Sequence, residues 1–64
     1  MRVDRKKLMN RMLDCGMNGL QLAAASGLTR VTISNVKCGK SCSEETLEKI
    51  AAALKVVPEK LLEN

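Results

Sequence analysis

With 64 residues the chain holds one small domain and leaves no room for separate catalytic and binding domains. Its net charge of +4 points to an anionic partner. It has no aromatic residue, so its core must be aliphatic, and stacking of single-stranded bases on aromatic platforms is excluded. Along the chain, Asp4 reads as the cap of a first helix, in which Leu8, Met9, Met12 and Leu13 recur at helical spacing as an inward stripe. The methionines are core filler rather than a soft-metal site. Gly16 closes this helix as a left-handed cap. Asn18 and Gln21, three apart, have the spacing of a capping box for a second helix whose Leu22 and Ala23 face inward.

The small Ala23 lets the following helix approach closely, and Gly27 takes the positive φ of a tight turn. Thr29 caps a third helix from about Arg30 to Lys37, anchored by Ile33 and Val36 and ending near Cys38 and Gly39. The VTIS run at 31–34 is β-branched, but the caps and spacing around it favour helix. Ser43 caps a fourth helix, with Glu44 and Glu45 in the first turn, where the helix dipole favours acids. Its inward residues are Leu47, Ile50, Ala51 and Leu54. Val56 and Val57 lead to Pro58, placed for the first position of a short final helix with Leu61 and Leu62. No repeat, linker or low-complexity tract interrupts residues 1–64. The expected fold is all-α, a compact five-helix bundle.

Charge is unevenly spread. Through Lys40, eight cations face only Asp4 and Asp14, leaving +6; from Ser41 onward three lysines face five glutamates, leaving −2. The basic half also holds NGLQLAAASGLTRVTISNVKCG at 18–39, which has the layout of two short helices set at an angle around a glycine turn. That is the arrangement of a DNA-reading helix-turn-helix.

Together with GKSCSEETLEKIAAALKV at 39–56, this segment resembles the Cro and phage-repressor (XRE-type) helix-turn-helix family. The resemblance spans residues 8–62. It implies a lambda-repressor-like DNA-binding domain that recognises specific sequences of double-stranded DNA. Two departures stand out. The family usually has a Gln near the start of its second helix, where it clamps a phosphate and braces the recognition helix; this chain has Gly19 and Leu20 in that turn. Cys42 stands where the family often has Pro. Asn18 or Gln21 is then left to anchor the phosphate.

The outer face of the third helix carries Arg30, Val31, Thr32, Ser34, Asn35 and Lys37. By position, Arg30, Val31, Thr32 and Asn35 match the family's base-reading residues. Arg30 has the fork for guanine O6 and N7, Asn35 the amide for adenine, and Val31 and Thr32 the methyls for a thymine methyl. Alternatives stay open for each: a phosphate contact for Arg30, an inward turn for Val31, a plain surface amide for Asn35. Thr32 and Ser34 have the option of bonding helix carbonyls, and that reading is preferred for Ser34. Backbone contacts are expected from Asn18 or Gln21 and from Lys37, Lys40 and Ser41, with Lys40 placed by the resemblance in the family's phosphate-touching loop. Arg5, Lys6 and Arg11 either extend that footprint or merely solvate the first helix.

Other chemistries find little support. Cys15, Cys38 and Cys42 are an odd number without a secretory signal, which argues against a disulfide framework, and with no histidine a four-ligand zinc site is lacking. Reduced thiols are expected, with a Cys38–Cys42 redox switch as the alternative. GKS at 39–41 is not a phosphate loop, because Ser34 stands where a glycine is required and no strand precedes it. No enzyme, cofactor or small-molecule substrate is expected. No apolar run has the length of a membrane span, so a cytoplasmic location is expected. The leading reading is a transcriptional regulator, a repressor acting as two copies on adjacent half-sites, with Val57, Leu61 or Leu62 as a dimer surface. The competing reading is a protein-interaction module, such as an antitoxin or accessory subunit, favoured by Gly19 and the apolar Val31.

Overall fold

A computed structural model describes residues 2–62 of the chain and is all-helical: α1 Arg5–Cys15, α2 Gly19–Ser26, α3 Arg30–Lys37 and α4 Glu44–Ala53. Each helix begins where a side chain satisfies its unpaired amides. Asp4 accepts from the Lys6 and Lys7 amides, Asn18 from Gln21, Thr29 from Thr32 and Ser43 from Thr46. Such caps typically contribute about 1 kcal/mol each. Gly16 and Gly27 end α1 and α2 in the left-handed region, at φ 66° and 75°, as their positions predict.

The fifth helix expected after Pro58 is instead a single 3-10 turn, Pro58–Leu61. The reason lies in its length and its neighbour. Leu62 is already extended and pairs antiparallel with Val3, so only four residues are left to coil. The Asp4 amide donates to the Leu61 carbonyl at 2.7 Å, tying the start of α1 to this turn.

The core is one cluster. Leu22 and Ala23 of α2, Ile33 and Val36 of α3, and Leu47, Ile50, Ala51 and Leu54 around α4 are all buried, as their spacing predicts. α2 lies at the centre, against both α3 and α4. The inward stripe of α1 is narrower than expected. Leu8 and Met12 are buried, but Met9 is 44% and Leu13 74% exposed. α1 rests on α3 and the 3-10 turn, and its buried residues are the i, i+4 pair Leu8 and Met12, with Cys15 packed partly against the core. Val3 completes the core from outside any helix.

The end of α4 is built differently from those of α1 and α2. Lys55 adopts φ 58°, and among the described residues no other non-glycine has a positive φ. Its amide bonds the Ala52 carbonyl, and the Val56 amide bonds that of Ala51. The Arg11 guanidinium donates to the Leu54 carbonyl at 2.9 Å and to the Lys55 carbonyl at 3.4 Å, placing a cation on the negative end of α4. Arg11 is therefore a helix cap, and not a free extension of the basic footprint. Lys55→Gly relieves the left-handed strain and is expected to stabilise the domain by about 0.5–1 kcal/mol. Thermal unfolding followed by circular dichroism should show a rise of a few degrees; a fall would show that the Lys55 side chain matters more than its backbone.

Candidate nucleic-acid interface

The α2–α3 unit is assembled from its caps. At the start of α2 the Gln21 amide donates to Asn18 Oδ1 at 2.8 Å, and the Asn18 amide donates to Gln21 Oε1 at 2.9 Å. The capping box is complete. Both side-chain oxygens are thereby occupied, which leaves the two exposed side-chain NH2 groups as donors. Gly27 turns the chain, its amide bonding the Ala23 carbonyl, and the Leu28 amide bonds the same carbonyl at 3.1 Å. Thr29 starts α3, with its Oγ1 accepting from the Thr32 amide at 3.1 Å.

Ile33 and Val36, each 2% exposed, fix one face of α3 to the core. The opposite face is open: Arg30, Val31, Ser34 and Asn35 are all exposed. Val31 is 69% exposed, so the inward turn considered for it is not adopted. Thr32 is half-buried, and its hydroxyl shares an exposed 2.9 Å hydrogen bond with the Thr29 hydroxyl instead of meeting a helix carbonyl. Ser34 likewise makes no carbonyl bond among the described residues. The capping residue's hydroxyl engages that of Thr32, while Ser34 is exposed.

Lys37 is the residue whose position the sequence conceals. It lies at the last turn of α3, yet a Cβ built on Gly19 would stand 3.7 Å from its Nζ. The ammonium therefore occupies the space beside the first turn of α2 that a longer side chain at Gly19 would claim. An open cleft of about 590 Å³ lies here, lined by Asn18, Gly19, Leu20, Arg30, Ser34 and Lys37, with Ile33 and Cys38 beside them. Spacing along one helix gives no hint of this pairing; only the angle between α2 and α3 creates it. Beyond α3, the Lys40 amide bonds the Asn35 carbonyl at 3.1 Å, and Lys40 and Ser41 stand exposed in the loop to α4.

The electrostatics of this face are those of unneutralised cations. Among the described residues the side-chain ion pair present is Glu45–Lys49, at 3.3 Å within exposed α4 positions, and it involves no residue of α2 or α3. Arg30, Lys37 and Lys40 have no carboxylate partner there. No helix among the described residues is long and apolar enough to cross a membrane.

Two short capped helices about a left-handed glycine, the second held by one face and bare on the other, define a helix-turn-helix DNA-binding domain. The family model for the Cro/C1-type HTH DNA-binding domain matches residues 7–63. The chain belongs to that family. No curated protein and no solved structure matches it significantly.

Proposed function

We propose that this domain is a sequence-specific transcriptional regulator, a repressor, that lays α3 in the major groove and occludes a promoter. The observation that carries the reading is the uncovered outer face of α3, which is rigidly backed by Ile33 and Val36. Arg30 pairs with a guanine edge and Asn35 with adenine, while the methyls of Val31 and Thr32 meet a thymine methyl. The duplex backbone is held by the amide donors of Asn18 and Gln21, by Lys37 in the cleft beside Gly19, and by Lys40 and Ser41 in the loop. Lys37 supplies the charge where the family's usual glutamine is missing. The domain acts in the cytoplasm, where its duplex target lies.

One recognition helix spans few base pairs, so two copies on half-sites about one turn apart give useful specificity. The exposed Val57 and half-buried Leu62 form the dimer contact in this reading; Leu61, 1% exposed, belongs to the core and drops out of it. Selection of bound duplexes from a random pool tests the proposal. It should enrich inverted half-sites with centres about 10 base pairs apart, bound with an affinity that falls steeply as salt rises.

The exposed Leu20 and Val31 favour a second reading, in which the same surface grips a protein as an antitoxin or accessory subunit does. A pool without enrichment, together with duplex binding indifferent to salt, would decide for it.

A further inference from the structure

We propose that Arg5 and Lys6, at the start of α1, form a second phosphate track that continues from Lys37 and carries the DNA contact beyond the α2–α3 unit. This rests on the DNA-binding reading above and adds residues and a surface to it. An open cleft of about 490 Å³ is lined by Arg5, Lys6, Met9, Asn10 and Lys37. Lys37 also lines the cleft at the start of α2, so one cationic residue borders both. Arg5 reaches the loop that follows α3: its Cδ lies 3.8 Å from where a Cβ on Gly39 would stand. The path therefore runs from α2 past the end of α3 and onto α1.

The charges of Arg5 and Lys6 disfavour the helix that bears them. The first turn of α1 holds Arg5, Lys6 and Lys7 and no acid, at the end where the helix dipole disfavours cations. Asp4 offsets part of this as the cap. The same chain arranges α4 the favourable way round, with Glu44 and Glu45 in its first turn.

The fold employs the neighbouring cations and not these two. Lys7 donates to the Leu62 carbonyl at 3.0 Å, and Arg11 caps α4. Among the described residues, the side chains of Arg5 and Lys6 have no hydrogen-bond or ion-pair partner. A local rule broken without structural return marks a functional surface. Phosphodiesters of the same duplex are the ligand that adjoining cations of the DNA face would take.

The test compares the full chain with Arg5→Ala/Lys6→Ala and with Arg5→Lys/Lys6→Arg. Each is titrated at several salt concentrations with a duplex of arbitrary sequence that overruns the domain at both ends, and Lys40→Ala serves as reference. The neutral double variant should lower the slope of log affinity against log salt by about 2, and weaken binding about tenfold or more at low salt. The charge-preserving variant should bind like the parent. The neutral variant should also melt at or above the parent's temperature, which separates lost contact from lost structure. An unchanged slope, with Lys40→Ala still reducing it, overturns the inference and leaves the DNA-binding reading standing; the cleft would then be open to an acidic protein segment over Met9. If the parent and Lys40→Ala both bind the duplex without salt dependence, the DNA-binding reading falls and takes the inference with it.

Discussion

Leu22→Ala is expected to leave most molecules unfolded at physiological temperature. Leu22 is fully buried in α2, the helix that lies against both α3 and α4, so the void opens where three helices meet. Truncating a buried leucine costs about 2–5 kcal/mol, depending on how far its surroundings collapse. A domain of this size holds only about 3–5 kcal/mol from its single core. The loss is therefore comparable to the whole. Urea unfolding followed by far-ultraviolet circular dichroism should show a sloping, poorly cooperative baseline where the parent shows a transition. Leu13→Ala is the control: the same chemistry at a 74% exposed site should change stability by no more than about 0.5 kcal/mol. Equal effects at the two positions would contradict the arrangement of α1 and α2 described above.

The second large effect concerns discrimination. Arg30 is exposed at the first position of α3 and makes no hydrogen bond or ion pair within the described residues, so removing it should leave the fold intact. Arg30→Ala is expected to erase about 1–3 kcal/mol of preference for the selected duplex over one altered at a single guanine, roughly 5- to 150-fold. Affinity for unrelated duplexes should drop far less. Lys40→Ala is expected to do the reverse, weakening all duplexes alike and lowering the salt dependence by about one phosphate contact. Measured side by side, the two variants separate base reading from charge. If Arg30→Ala weakened matched and altered duplexes equally, Arg30 would be a phosphate contact and the base-reading role would have to lie elsewhere on α3.

How much of this was legible in the sequence depends on the range of the interaction. All four helix starts, at Asp4, Asn18, Thr29 and Ser43, could be read directly, because a cap is a bond between residues two or three apart. The inward residues of α2, α3 and α4 were equally readable, since these helices pack on neighbours broad enough to cover a full stripe. α1 misled for the converse reason. Met9 and Leu13 continue its apolar pattern but stand exposed, because the neighbours of α1 cover only the line of Leu8 and Met12. The remaining features are long-range and have no local signature: Val3 buried against Leu62, Arg11 reaching across 43 residues to cap α4, and Lys37 lying over Gly19. The absent side chain at Gly19 was visible as a departure from the family's pattern. What fills the gap was not, because the answer comes from the other helix.

The antiparallel meeting of Val3 and Leu62 separates the order of the helices along the chain from their order in space. A circularly permuted version, joined at those neighbouring positions and reopened at residues 40–41, keeps every helix and its cap whole. Such a rearranged protein would cut only the segment bearing Lys40 and Ser41, and would thereby isolate the grip contributed by a tethered loop from that contributed by the rigid helices.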